Sequence, residues 1–151
     1  MGQGNIIGYE INEKTCQISF YNEEMAEPET MEVDADNYQI PLVIGKLRDT
    51  WAYGKEAKRL ASLKEGFTVN RLLDKSLAGE KIEFGEESYE AVWLLAKFIE
   101  LSLQSFPKIN GIVFSVPELT EELAQMLRGI AVRMNIDKRH IFCLLYTSPS
   151  P

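Results

Sequence analysis

The sequence predicts one α/β domain built on a mixed β-sheet, and three observations support this fold class. Near the N-terminus, short apolar runs alternate with polar residues, as in strands that expose one face to solvent. After residue 54 the spacing of the apolar residues becomes helical. Towards the C-terminus an apolar run, an amphipathic segment and a second apolar run follow one another, which is the order of a parallel crossover unit.

The N-terminal part is expected to form an antiparallel meander. Residues 6–11 are apolar, Asn12, Glu13 and Lys14 make a tight polar turn, and residues 15–21 alternate between apolar and polar. A polar loop containing Pro28 then leads to a third short strand over 30–33 and a turn over 34–37. Pro41 suits the edge or start of a strand over 40–44, with which residues 51–53 can pair.

Helices are expected in the middle of the chain. The first covers residues 57–63 and ends at Gly66, and a weaker candidate covers 69–77 and ends at Gly79. After a strand over 81–84, Ser88 can cap a long helix that ends before Pro107. The apolar stripe predicted for that helix consists of Val92, Ala96, Ile99, Leu103 and Phe106.

The crossover unit follows. Residues 112–116 predict a strand buried on both faces, Thr120 predicts the N-cap of a helix, and Asn135 predicts its C-terminal cap. The stripe of that helix consists of Leu123, Met126, Leu127, Ile130 and Met134. A second buried strand is expected over 141–144, and residues 145–151 are interpreted as a non-native tail that resembles translated adapter sequence.

Composition excludes several classes of function. A formal charge of -7 and an isoelectric point near 4.8 disfavour binding to nucleic acid or to an anionic membrane. The densest apolar run, residues 91–103, contains Lys97 and Glu100, so no membrane span is expected. A single histidine and two cysteines without metal-ligand spacing disfavour a zinc site and a catalytic triad. A cytoplasmic protein is therefore expected.

Five segments, in order, carry a family resemblance. They are Ile-Gly-Tyr-Glu-Ile-Asn-Glu-Lys-Thr-Cys at 7–16, Ile-Pro-Leu-Val at 40–43, Tyr-Gly-Lys-Glu-Ala-Lys at 53–58, Val-Asn-Arg-Leu-Leu at 69–73 and the strand ending in Pro at 111–117. These segments resemble the first phosphate loop and the motifs that follow it in DnaK-type heat-shock chaperones, a branch of the actin-like ATPase superfamily. The resemblance extends from about residue 5 to residue 144.

The resemblance implies a ribonuclease-H-like fold with an N-terminal antiparallel meander and crossover helices. It implies that residues 1–144 are the first lobe of an ATPase domain, truncated before the second phosphate loop, because no Asp-x-Gly sequence occurs. In the complete protein the domain would bind ATP with Mg²⁺ and act as a conformational switch for a protein partner. The implied nucleotide-binding residues are Gly8, Glu10, Asn12, Glu13 and Lys14, with Glu10 on the metal side.

Three departures from the chaperone pattern weaken the case for catalysis. Glu10 replaces an aspartate, Asn12-Glu13-Lys14 replaces Gly-Thr-Thr, and Asn70 stands where the chaperones have their catalytic lysine. We therefore assign no catalytic residue and expect at most an ATPase with degenerate catalytic positions. The alternative is a non-catalytic scaffold or protein-interaction module, in which the turn is simply a polar hairpin tip.

Overall fold

A computed structural model describes residues 4–33 and 37–145. In chain order its elements are β1 (Asn5–Ile11), β2 (Thr15–Tyr21), β3 (Glu29–Thr30), β4 (Gln39–Pro41), β5 (Ile44–Leu47), β6 (Thr50–Tyr53), α1 (Lys55–Leu63), β7 (Phe67–Val69), α2 (Leu72–Leu77), β8 (Lys81–Phe84), β9 (Glu87–Glu90), α3 (Ala91–Ser102), β10 (Ile109–Val116), α4 (Glu121–Arg133), a 3₁₀ turn (Lys138–His140) and β11 (Ile141–Leu145). Most of the turn expected at 34–37 and the tail from residue 146 onwards lie outside the described residues.

The described chain divides into two compact units. The first contains residues 4–12, 16–33, 37–39 and 106–145 of the described chain, and the second contains residues 13–15 and 40–105. In the part of the chain that the structure describes, no helix is long and apolar enough to cross a membrane.

A mixed sheet forms the centre of the first unit. Its strand order is β11-β10-β1-β2-β3. The strands β1, β2 and β3 pair antiparallel, while β10 is parallel both to β1 and to β11. The predicted meander and the predicted crossover strands therefore share one sheet, and the mixed α/β class is confirmed.

The two faces of this sheet differ in how deeply their side chains are buried. One face is buried and carries Ile7, Tyr9, Ile11, Cys16, Ile18, Ile112, Phe114, Val116 and Ile141. On the other face the side chains are half-buried or exposed, including Val113, Ser115 and Phe142. The prediction that residues 112–116 are buried on both faces is therefore wrong, because Val113 and Ser115 point away from the buried face of the sheet.

Helix α4 crosses from β10 to β11 and packs against β11. Its N-cap is Thr120, whose Oγ1 accepts a hydrogen bond of 3.1 Å from the N–H of Leu123, as the sequence predicts. At the other end Asn135 adopts a φ of 68°, and the N–H of Ile136 donates to the carbonyl of Ala131. These features make a left-handed C-terminal cap and confirm the cap predicted at Asn135.

The second unit contains a three-stranded sheet in the order β6-β5-β7, the hairpin β8-β9 and helices α1 to α3. Helix α3 packs against α2, β5, β6 and β9. It begins after Glu90, and the predicted cap Ser88 lies instead in β9. The predicted stripe is correct at Ile99 and Leu103, which are buried, but Val92 and Ala96 are only half-buried. The rest of the buried face is formed by Leu94, Leu95 and Phe98.

The helix predicted over 69–77 is shorter than expected. Val69 ends strand β7, and α2 begins at Leu72 after Arg71, which adopts a left-handed conformation with a φ of 54°. The side chain of Arg71, the N-cap residue, makes no hydrogen bond to the first turn of α2. The side-chain cap of this turn comes instead from Glu13.

Candidate functional site

The carboxyl ends of the parallel strands β1 and β10 carry the best-defined polar feature of the first unit. Glu10 is the penultimate residue of β1 and Ser115 that of β10, and the two are partners in the ladder. On the other side of Glu10, Gln17 of β2 is its antiparallel partner. We call these three residues the Glu10 row. Each is half-buried, and each lies between neighbours that are buried on the opposite face of the sheet.

The strands explain why these three side chains lie on one face. Residues alternate between the two faces along a strand, and in-register partners share a face. Tyr9 and Ile11 point into the core, so Glu10 points away from it. The positions of the Glu10 row are thus fixed by main-chain pairing in three strands.

Gly8 lies on the same face of β1, two residues before Glu10. It is the partner of Ser19 in β2, and a Cβ atom added at Gly8 would collide with the Oγ of Ser19. The space that the missing side chain leaves is therefore filled by Ser19. A side chain at Gly8 would therefore require the hydroxyl group of Ser19 to turn away.

Glu13 and Lys14, predicted as phosphate-loop residues, belong to the second unit and are bonded within it. The Oε1 atom of Glu13 accepts a hydrogen bond of 2.9 Å from the main-chain N–H of Asp74 in the first turn of α2. The carbonyl oxygen of Lys14 accepts a bond of 2.9 Å from the N–H of Leu42. Asn12 is exposed and belongs to the first unit. Of the five predicted residues, Gly8, Glu10 and Asn12 thus belong to the first unit, and the other two belong to the second.

Glu13 supplies the N-terminal cap that α2 lacks locally, because a carboxylate oxygen can satisfy one of the free N–H groups of a first turn. Its second oxygen, Oε2, is buried without a hydrogen-bond partner. Burial, followed by the neighbouring carboxyl group of Asp74, raises the pKa of Glu13 above its ordinary value of 4.5. The capping oxygen of Glu13 thus has a structural role in the second unit, whereas burial disfavours the negative charge.

Asn70, at the position of the chaperones' catalytic lysine, is exposed and has a cationic neighbour. Its Oδ1 atom accepts a hydrogen bond of 3.5 Å from the Nζ of Lys75. Sequence reasoning did not consider Lys75, because this lysine follows Asn70 by one helical turn and matches no family motif.

A cavity of about 360 Å³ lies on the first unit, beside β2 and β3. It is lined by Gln17, Glu29, Thr30, Glu32 and Tyr38. Gln17 therefore belongs both to the Glu10 row and to the wall of this cavity. The two glutamates give the cavity a negative character, which disfavours free anions and favours cations.

The second unit carries a cluster of aromatic side chains, which we call the aromatic cluster. Its members are Trp51, Phe67, Phe84, Tyr89 and Trp93, with ring centroids 5.1 to 6.3 Å apart in the contacting pairs. Phe84 is buried, whereas Phe67 is 46% exposed and stacks on it. Trp93 of α3 is half-buried and packs against Trp51 and Tyr89 within this cluster.

Lys46 lies against the aromatic cluster. Its Nζ atom is 5.1 Å from the ring centroid of Trp51 and donates hydrogen bonds to the Oη of Tyr89 at 3.2 Å and to Glu87 at 3.1 Å. The hydrogen bonds to Tyr89 and Glu87 raise the pKa of Lys46, and the bond from Lys46 lowers the pKa of Glu87. The lysine is thus held by one ion pair and two aromatic rings.

These observations test how well the residues fit magnesium. Among residues 4–33 and 37–145, no group of three or more histidine, cysteine, aspartate or glutamate side chains is arranged to hold a metal ion. Magnesium, however, is commonly held by one or two carboxylates together with water and substrate phosphates. Glu10, half-buried at the carboxyl end of a parallel strand, fits that mode, whereas the carboxylate of Glu13 is engaged with α2.

Gln17, Ser115 and Lys46 were not selected from the sequence. A polar residue inside each apolar run was visible for Gln17 and Ser115. The register of Gln17 with Glu10 is set within the β1–β2 hairpin, whereas that of Ser115 depends on pairing between segments about a hundred residues apart. For Lys46 no sequence signal existed, because its partners Trp51, Glu87 and Tyr89 come together only through packing.

Comparison with known proteins gives one finding. Residues 27–148 match the family described as "Family of unknown function (DUF5716) C-terminal". No curated protein matches the chain significantly.

Proposed function

This chain belongs to the DUF5716 C-terminal family of unknown function, and we propose that it is a divergent actin-like nucleotide-binding domain that binds ATP with magnesium. The observation that carries the proposal is the position of Glu10, at the carboxyl end of β1 and in register with Ser115 at the carboxyl end of β10. In open α/β sheets, ligands bind outside the carboxyl ends of the parallel strands.

The arrangement of the sheet supports the ribonuclease-H-like part of the proposal. An antiparallel meander, β1 to β3, is followed by two strands, β10 and β11, added in parallel on the other side of β1. Helix α4 makes the crossover between those two strands. This is the combination of meander and crossover that the resemblance to DnaK-type chaperones implies.

Within this proposal the chain's own residues have limited roles. Glu10 would hold the magnesium ion through water, and Gly8, Asn12, Glu13 and Lys14 remain the residues that the resemblance assigns to the nucleotide. Magnesium, when bound, neutralises phosphate charge. Glu13 would have to leave its contact with Asp74 to take part, which is a local conformational change of the kind a nucleotide switch requires.

Hydrolysis is proposed to be slow or absent. Asn70 is neutral where the resembling chaperones have a lysine, and an electrostatic contact of that kind is worth about 2.7–4 kcal/mol at other sites. We propose that binding, rather than turnover, is the function, and that a partner protein reads the bound state.

The experiment is an NMR titration of the ¹⁵N-labelled chain with Mg-ATP, because chemical shifts also detect weak binding. We expect saturable, magnesium-dependent shifts centred on residues 8–14, and loss of these shifts in Glu10→Ala. The control is Glu23→Ala, which removes an exposed carboxylate from a loop of the same unit. Absence of saturable shifts at millimolar Mg-ATP would contradict nucleotide binding by this chain.

A second candidate function is a protein-interaction module without nucleotide chemistry, and the aromatic cluster favours it. Half-exposed tryptophan and tyrosine side chains on a rigid support are the residues that dominate the binding energy of protein interfaces. The same titration separates the two candidates, because a pure interaction module is expected to show no response to Mg-ATP.

A further inference from the structure

The Glu10 row places one carboxylate between two neutral oxygen-bearing side chains. Glu10 is the ladder partner of Gln17 on one side and of Ser115 on the other, and all three are half-buried on the same face. The next residues along this face are Gly8, Ser19 and Val113, so the adjoining row has no second carboxylate.

We propose that Gln17 and Ser115 are positioning residues that hold the water ligands of a divalent cation beside Glu10. This inference rests on the proposed function, in which Glu10 lies on the magnesium side. The sequence resemblance assigns no role to Gln17 or Ser115.

The chemistry of a hydrated cation fits this row. Magnesium demands six oxygen ligands in an octahedron and gives up its waters reluctantly, so a protein commonly contacts it through one carboxylate and several bound waters. The amide oxygen of Gln17 and the hydroxyl oxygen of Ser115 can each accept a hydrogen bond from such a water. Groups that orient the first ligands of a metal in this way strongly affect its affinity.

The backbone makes the arrangement rigid. Side chains of directly paired residues have Cβ atoms about 4.5–5.5 Å apart, which is within reach of one hydrated ion. Because the three positions lie on paired strands rather than on a loop, their geometry is set before the cation arrives.

The adjoining cavity gives an electrostatic reason for a cation to bind near the Glu10 row. Gln17 also lines the cavity that contains Glu29 and Glu32. Carboxylates near a site raise the local concentration of cations. The cavity, of about 360 Å³, is thus large enough for a hydrated ion next to Gln17.

The test uses Mn²⁺ alone as the probe, without nucleotide, and reads the paramagnetic broadening of amide signals in the ¹⁵N-labelled chain. We expect broadening centred on Glu10, Gln17 and Ser115 in the unaltered chain. Gln17→Leu and Ser115→Ala should each weaken binding about tenfold, whereas Ser115→Thr should retain it. The matched control Ser19→Ala, one row away on β2, should bind as the unaltered chain does.

A variant that gains affinity separates the loss of a ligand from poor folding. Gln17→Glu places a second carboxylate beside Glu10 and should bind Mn²⁺ more tightly if the cation lies at the Glu10 row. Broadening centred on Glu29 and Glu32 instead of the row, or unchanged binding in both Gln17→Leu and Ser115→Ala, would overturn the inference.

The two proposals fail separately. If Mn²⁺ does not bind at the row while Mg-ATP still shifts the signals of residues 8–14, the inference about Gln17 and Ser115 is wrong and the proposed function stands. If Mn²⁺ binds at the row with the expected variant pattern while Mg-ATP has no effect, the cation site is supported and nucleotide binding is not.

Discussion

The carboxylate of Glu13 accepts a hydrogen bond of 2.9 Å from the main-chain N–H of Asp74, 61 residues further along the chain. This contact caps the first turn of α2, where Arg71 has a left-handed conformation and offers no side-chain cap. A residue that the sequence resemblance places in a phosphate loop thus stabilises a helix in the second unit.

Glu13→Ala removes the capping oxygen, and we expect a loss of about 1 kcal/mol in the free energy of unfolding, the usual effect of losing an N-cap. Glu13→Gln keeps an oxygen acceptor but carries no charge. Because the pKa of Glu13 is raised in the folded state by burial and by Asp74, wild-type stability falls as the pH rises through that pKa. Glu13→Gln should therefore be more stable than wild type at pH 7.

The advantage of Glu13→Gln should vanish below the ordinary glutamate pKa of 4.5, where Glu13 is protonated in both states. Urea denaturation at several pH values measures this difference. Glu23→Gln, an exposed loop variant, controls for general changes in net charge. The measurements should run from about pH 3.5, below the ordinary glutamate pKa, to about pH 7, well above it. A stability difference between Glu13→Gln and wild type that stays constant over this range would contradict the role assigned to burial.

Gly129→Ala should stabilise the protein. Gly129 is exposed within α4, and an added Cβ would have no neighbour within 4 Å. Alanine in an exposed helix interior is better than glycine by about 0.5–1 kcal/mol, because the unfolded chain loses conformational freedom. Thermal and urea unfolding both measure the gain.

The matched control for that variant is Gly8→Ala, where the same methyl group would collide with Ser19. We expect a loss of about 1–3 kcal/mol, the usual cost of overpacking. Equal effects of the two substitutions would show that the close approach of β1 and β2 at Gly8 does not determine the choice of residue there.

The two cysteines should differ in reactivity. Cys16 is 1% exposed, and burial raises the pKa of its thiol to about 12, although its hydrogen bond to Tyr9 acts in the opposite direction. Cys143 is half-buried, and its pKa is raised chiefly by burial. Since the thiolate is the reactive form, an alkylating reagent at pH 8 should modify Cys143 slowly and Cys16 hardly at all.

Mass spectrometry of timed samples measures the two rates, and the same reaction in urea should make them similar. Rapid modification of Cys16 in the folded chain would contradict its burial on the core face of β2.

Lys46→Met should raise the pKa of Glu87 towards its ordinary value of 4.5. The bond from Lys46 is the main cause of the lowered pKa, and Tyr89 contributes less. A lowered pKa in the folded state stabilises the protein above the unfolded pKa and stops doing so as the pH falls through the folded value. The stability difference between wild type and Lys46→Met should therefore shrink in acid.

An NMR titration of the Glu87 side-chain carboxyl group measures the shift directly. The control is Lys97→Met, which removes a longer ion pair of 4.0 Å to Glu100 on α3. If the pKa of Glu87 is the same in wild type and in Lys46→Met, the ion pair does not govern its titration.

Local patterns in the sequence were sufficient for many elements. The residues of β1, β2, β8, β10 and β11 fall where alternation and apolar runs predict strands, and Thr120 and Asn135 cap α4 as expected. Each of these features depends on neighbours within a few residues, and such neighbours are visible in a sequence. The cytoplasmic location and the nucleotide chemistry stay predictions, because neither depends on a local pattern alone.

Contacts between distant segments decided the features that local patterns do not predict. Ser88 lies in a strand because β9 pairs with β8, and Leu94, Leu95 and Phe98 face the interior because α2, β5 and β6 surround α3. In the same way, the Glu10 row and the cap of Glu13 on α2 join segments that the sequence separates widely. Sequence alone determined many of the strands and helices, since propensity and periodicity are local. Tertiary structure decided where β7 and β9 form and which polar residues meet, since strand pairing and packing join distant segments.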